Sequence, residues 1–183
     1  MRRVNATSSF REGLYIADSK IHGKGLFTTG SINKFEIVVV FGGAVFDEND
    51  LLNGKCDPKT TIAISETEWL GNLNGSEKEL DDYINHSCMP NVGMLDNLSL
   101  CAIKDIGAGE EIVADYSIWV NSQDYLLTEN CCCGASNCRG RVSGNDWLRL
   151  DVIYNSLNYF SPFLNKRIEQ QLKMVCKDVK QSR

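Results

Sequence analysis

No run of 18 apolar residues occurs in this 183-residue chain, and Met1-Arg2-Arg3-Val4-Asn5-Ala6-Thr7 is polar where a secretory signal needs an apolar core. Neither a membrane span nor export by that route is expected. Basic blocks are missing too: 19 Lys and Arg stand against 24 Asp and Glu, a net charge of −5. Nothing in that balance neutralises a row of phosphates, so no direct nucleic-acid partner is expected. Histidines number two, His22 and His86, and neither stands near a G-x-S-x-G elbow, which leaves a charge-relay hydrolase without machinery. A phosphate loop is lacking as well. The stretch His22-Gly23-Lys24-Gly25-Leu26-Phe27 has a glycine pair, but not the Walker spacing or the third glycine of a dinucleotide fingerprint. There is no internal repeat and no low-complexity linker.

What is present suits one compact core with appendages: 43% hydrophobic and 23% charged residues. The acidic runs at 47–50 and 79–82 read as solvated faces, while an acidic surface overall suits a Lys/Arg-rich peptide. From residue 10 to 116 short apolar runs are cut by glycines, which predicts mostly-β structure with strands at 37–41, 61–64, 98–103 and 111–116. Beyond Cys138 the spacing of Leu164, Ile168, Leu172, Val175, Cys176 and Val179 predicts an amphipathic helix, with Ser161 as N-cap and Pro162 in its first turn. A less clearly patterned helix is expected within 146–158. The fold class expected is therefore mostly β with C-terminal helices.

Of eight cysteines, Cys131, Cys132, Cys133 and Cys138 fall within eight residues, a crowding that favours metal over disulfides. Cys131, Cys133 and Cys138 form C-x-C-x4-C, one thiolate short of a closed tetrahedral zinc site. Cys88, in the turn-like Asn85-His86-Ser87-Cys88-Met89-Pro90, is the best fourth ligand; Cys132 is the alternative for one of the three. Cys56, Cys101 and Cys176 read as unliganded, the last two as small buried hydrophobes.

Four segments in order, namely the glycine pair with Leu26-Phe27, the Asn85-His86-Ser87-Cys88-x-Pro90-Asn91 run, Gly109-Glu110-Glu111 to Asp115-Tyr116, and the cysteine cluster, resemble the SET-domain family of protein-lysine methyltransferases with its post-SET segment. The resemblance covers about residues 12–141, and the tail is similar to that of free-standing bacterial SET proteins. It implies a SET domain at 10–120, a post-SET zinc segment at 121–142 and a helical tail at 143–183. The implied fold is a β-clip of small curled sheets in which the asparagine-histidine segment threads a loop as a pseudoknot. The implied cofactors are S-adenosylmethionine and Zn2+. Tyr116 would be the active-site phenol. Lys24, Gly25 and Leu26 by their main chain, together with Tyr83, Asn85, His86 and Trp147, would hold the cofactor. Phe41, Ala114 and Tyr116 would line the lysine channel, and Cys88, Cys131, Cys133 and Cys138 would bind the metal.

Two positions depart from the family pattern. Phe41-Gly42-Gly43 stands where many relatives have Tyr-x-Gly, and Ala114 where relatives carry a Phe/Tyr switch. Both changes leave more room at the lysine nitrogen, so di- or trimethylation is expected. The partner implied is a lysine-bearing protein or peptide, a histone tail among the candidates. The location implied is intracellular, with cytoplasm, nucleus and delivery into another cell undistinguished. Two rival readings are a zinc-stapled module that binds a lysine peptide without modifying it, and a zinc hydrolase or deaminase. The second lacks both an open metal position and an H-x-E glutamate.

Overall fold

A computed structural model describes residues 2–181, and the glycine-cut first part of the chain folds in it as short strands. In order these are β1 (Arg3–Val4), β2 (Ser9–Phe10), β3 (Leu14–Asp18), β4 (Lys24–Thr28), β5 (Ile37–Val40), β6 (Gly43–Phe46), β7 (Cys56–Ala63), β8 (Trp69–Leu73), β9 (Asn85–His86), β10 (Val92–Met94), β11 (Ser99–Ala102) and β12 (Glu111–Ala114). Helix α1 (Glu48–Leu52) links β6 to β7, with Asp47 and Asp50 closing a capping box at its start.

One sheet runs β1-β6-β8-β7; the other runs β2-β5-β11-β10-β12-β4-β3, with β9 laid beside β12. β12 is the hub. It pairs antiparallel with β4 (Ile112↔Leu26) and parallel with both β9 (Val113↔Asn85) and β10 (Val92↔Ala114). Parallel neighbours need long connections, so this strand collects three segments far apart in the chain. Its partners bury it: Ile112 and Ala114 are inaccessible, as are Leu26, Val38, Val39, Met94 and Leu100 around them.

The four expected strands are present with different ends. The last stops at Ala114, because Asp115 leaves the ladder and its carboxylate accepts from the N–H of Ser117, capping a 3-10 turn at Tyr116–Ile118. Strand 61–64 belongs to the longer β7, whose partner β8 carries Gly71 and Asn72 and so hides its strand character. Gly43 has φ +127, and a side chain there would meet the carbonyl of Gly71; the pair Gly42-Gly43 lets the chain pass tightly into β6.

Of the two helical expectations, one needs correcting. The helix expected within 146–158 is the short α2 (Leu150–Asn155), preceded by a 3-10 turn (Asp146–Leu148) and set off from it by Arg149 in extended backbone. Trp147 and Val152 point inward, whereas Leu150 and Tyr154 are exposed. Helix α3 (Pro162–Gln181) exists, but Ser161 does not cap it, since its buried hydroxyl finds no hydrogen-bond partner. Of the stripe, Leu164 and Ile168 are buried, with Phe163 packed on the core beside them and Phe160 buried just before the helix, while Leu172 is half exposed. The side chains of Val175, Cys176 and Val179, expected on the same stripe, lie outside the described residues. No helix among the described residues is long and apolar enough to cross a membrane.

Candidate functional site

Where β4, β9 and β12 meet, the side chain of Asn85 reaches across to the glycine pair. Its Nδ2 lies 3.2 Å from the His22 carbonyl, 3.1 Å from the Lys24 carbonyl and 2.8 Å from Glu111 Oε1. Ser19 donates to the same Glu111 carboxylate at 2.8 and 2.9 Å. A Cβ on Gly25 would sit 2.2 Å from Glu111 Oε1 and 3.2 Å from Asn85 Nδ2, so a side chain here would displace the Glu111 carboxylate from its bond to Asn85. Leu26 is the floor beneath it, fully buried, whereas Lys24 reaches outward to Asp18 at 3.0 Å. Tyr83 ends a 3-10 turn (Leu80–Tyr83) next to this crossing and packs on the core.

Tyr116 joins the crossing from the other side. Its hydroxyl donates to the carbonyl of Ile84, the residue before Asn85, at 2.8 Å, and its N–H donates to His86 Nδ1 at 3.2 Å. Burial pushes the phenol well above its usual range, so it is neutral in all ordinary buffers. Burial likewise pulls His86 down to about 4, overriding the nearby Asp115 carboxylate, and the ring is uncharged near neutral pH. Ala114 pairs with both His86 and Val92 and is inaccessible.

One aromatic wall escaped the sequence reading. Trp119 packs against Tyr116 with ring centroids 5.6 Å apart and against Phe41 at 6.5 Å, edge to face. In a 3-10 turn residues i and i+3 eclipse, which is why Trp119 shares a face with Tyr116. That signal becomes readable only once the strand is known to break at Asp115.

The sulfurs of Cys88, Cys131, Cys133 and Cys138 all lie within 4.8 Å of one another, with Cys88 and Cys131 at 3.9 Å. Zn–S bonds of about 2.3 Å separate tetrahedral sulfurs by about 3.8 Å, so this donor set fits zinc. Backbone N–H groups already point at the sulfurs: Cys88 N to Cys133 Sγ at 3.4 Å and Arg139 N to Cys88 Sγ at 3.3 Å. Burial raises Cys88 to about 11, while at Cys133 the N–H groups of Cys88 and Ala135 outweigh burial and leave the thiol near 6. Cys132 is exposed and stands outside the cluster, while Cys56 and Cys101 are buried away from it.

A buried charge network, also missed in the sequence, ties this cluster to Tyr116. The Arg139 guanidinium grips Asp115 with two bonds, 2.6 and 2.8 Å, and its Nε lies 2.9 Å from Asp146. Burial would raise the Asp115 carboxyl, but this fork holds it below its ordinary value. Trp147, beside Asp146, is buried with its ring under the Arg167 guanidinium at 5.9 Å, and Arg167 also pairs with Glu66. The structure therefore gathers Gly25, Asn85, His86, Ala114, Tyr116 and Phe41 around one junction, and sets Trp147 against α3.

Comparison with known proteins adds three findings. A family model described as "SET domain" matches residues 23–117. A curated relative, "Putative histone-lysine N-methyltransferase 1" of Plasmodium falciparum (isolate 3D7), is 32% identical over 160 residues, 76% of this chain but 2% of its own length. Among solved structures, the methyltransferase domain of human "Histone-lysine N-methyltransferase SETMAR" superposes with a TM-score of 0.58 at 23% identity, covering 72% of this chain and 58% of that one. KRYPTONITE "in complex with mCHG DNA and SAH" does so with 0.57 at 25%, covering 72% and 29%. The chain thus spans a small part of the curated relative it matches, and the mostly-β fold of curled sheets is common to these neighbours.

Proposed function

The chain belongs to the SET-domain family, and from that premise we propose that it transfers a methyl group from S-adenosylmethionine to the ε-amine of a lysine on a protein substrate. The observation that carries the reading is the junction itself: the Tyr116 phenol is bonded to the residue next to Asn85, and Asn85 is bonded to the backbone of the glycine pair.

S-adenosylmethionine supplies a methyl carbon made electrophilic by the sulfonium. The rest falls to the chain's own residues. Lys24, Gly25 and Leu26 offer main chain for the cofactor, Asn85 an amide, and His86 its backbone; Tyr83 and Trp147 are the remaining cofactor contacts we propose. The attacking amine must be neutral, and with His86 and Tyr116 both uncharged the site holds no strong base. Desolvation and a neighbouring sulfonium lower the lysine pKa instead. What Tyr116 and the walls of Phe41, Ala114 and Trp119 contribute is alignment and exclusion of water, a proximity effect worth up to about 7–11 kcal/mol. Without a hydroxyl at Phe41 or a bulky side chain at Ala114, the channel has room for more than one methyl, and we propose di- or trimethylation.

For the substrate we propose a lysine in a basic segment such as a histone tail, which the net charge of −5 favours and which accords with the names of the curated relatives. The same charge supports the absence of a nucleic-acid partner. Four clustered thiolates suit a reducing, intracellular location and a resident zinc ion. A second reading, a lysine-peptide binder without catalysis, draws on the missing hydroxyl at Phe41. Labelled S-adenosylmethionine incubated with histones or whole-cell protein separates the two: incorporation by wild type, lost in Tyr116→Phe, is expected. Peptide binding with no incorporation would leave the second reading standing.

A further inference from the structure

Cys88 Sγ touches two residues that both lead to Tyr116, His86 through its ring and Arg139 through its backbone N–H. The first is His86. Its Nδ1 accepts from the Tyr116 N–H at 3.2 Å, and a ring nitrogen that accepts carries no proton. The proton of the ring therefore sits on Nε2, which lies 3.5 Å from Cys88 Sγ. A metal-bound thiolate has no proton of its own and can only accept, so the hydrogen bond runs from Nε2–H to sulfur. The second is Arg139, directly after the ligand Cys138. Its N–H donates to Cys88 Sγ at 3.3 Å, and its guanidinium forks onto Asp115, which caps the turn that begins at Tyr116. Both side chains are almost fully enclosed, His86 and Arg139 at 4% and 3% exposure.

We infer that His86 and Arg139 are positioning residues through which metal binding at Cys88 holds the 115–117 turn, and with it the Tyr116 phenol, in place. The inference rests on the reading of Tyr116 as the active-site phenol and of the four-sulfur cluster as a zinc site. Two limbs from one sulfur fix the start of the turn: His86 holds the backbone of Tyr116, and Arg139 holds the carboxylate that caps it. Zinc loading is thus coupled to the channel without any ligand residue reaching it.

The test has an arm that needs no catalysis. Because the chain has two histidines, 15N-histidine spectra of zinc- or cadmium-loaded protein resolve His86 from the exposed His22. The Nε2–H tautomer is expected at His86, together with slow exchange of the Tyr116 amide that accelerates at least 10-fold on chelation. An Nδ1–H tautomer, or a Tyr116 amide indifferent to metal, overturns the inference. In the kinetic arm Arg139→Lys keeps the charge and loses the fork, and His86→Phe keeps a ring and loses both bonds. With metal content equal to wild type, kcat is expected to fall 10-fold or more while KM for the methyl donor stays within about 2-fold. Wild-type kcat in both metal-replete variants overturns the inference. If wild type transfers no methyl group while the spectra and exchange behave as expected, the proposed function fails and the link from metal to turn stands.

Discussion

Phe41 and Asp81 make opposite statements about what a single atom decides. Phe41 is buried edge-to-face on Trp119 and brings no hydroxyl toward the proposed lysine channel. Phe41→Tyr is expected to add a hydrogen bond that holds a partly methylated amine, slowing the second and third transfers about 10-fold, since about 1.4 kcal/mol is a factor of ten. Mass spectrometry of a peptide methylated with excess donor reads this directly, and an unchanged product distribution would dissociate Phe41 from the channel. Asp81 carries a buried carboxyl that accepts from Ser8 Oγ at 2.7 Å, while its other oxygen finds no partner. Burial pushes it up to about 6 from the ordinary 3.8. Between those values the folded chain holds a proton the unfolded chain releases, so this group favours folding below about pH 4 and the benefit is lost as pH rises through 6. Asp81→Asn is therefore expected to stabilise the protein at pH 7 by on the order of 2 kcal/mol, with the difference shrinking toward pH 4. Urea titrations at the two pH values check the sign. The missing hydroxyl at Phe41 was legible as a departure from Tyr-x-Gly, but the Asp81 effect was not: 79–82 read as a solvated acidic run, because burial by Ser8, seventy-three residues away, leaves no local trace.

Among the elements, α3 and β12 divide what periodicity can and cannot say. The 3.6-residue spacing of Leu164, Ile168 and Leu172 announced a helix correctly, but only Leu164 and Ile168 dock. How far a helix stays on its core depends on where the surface beneath it ends, which no property of the helix encodes. Leu164→Ala is expected to cost about 2–5 kcal/mol in chemical denaturation, and Leu172→Ala less than about 0.5. Equal costs would mean that the helix docks over its full length. β12 was visible as an apolar run after Gly109, yet its two parallel partners were not, since parallel pairing joins segments with no turn between them. The break at Asp115 was hidden for a related reason. A β-forming run continues through Tyr116, and it is the fork from Arg139 and the bonds from Ser117 that make leaving the sheet favourable.

For the molecule as a whole, the four-sulfur cluster joins the segment around Cys88 to the 131–138 loop, and Arg139 joins that loop to both Asp115 and Asp146. Structural zinc contributes on the order of 10 kcal/mol to the segment it closes. A strong chelator is expected to lower the melting temperature by more than about 10 °C and to expose the thiols of Cys88, Cys131, Cys133 and Cys138 to an alkylating reagent that otherwise reaches Cys132 first. Mass mapping that finds the four equally reactive before and after chelation would remove the metal from the fold. The amino-acid sequence alone determined the chemistry that travels in short words: the thiolate spacing, the glycine that lets backbones cross, the asparagine-histidine run and the phenol, each a local pattern with its own physical requirement. Tertiary structure decided which of these words meet, how the strand ends at Asp115, that Trp119 forms a wall, and that one arginine serves two buried carboxylates. Those outcomes arise from desolvating charges and rings against partners tens of residues away, and the energy of such contacts exists only when the chain has closed around them.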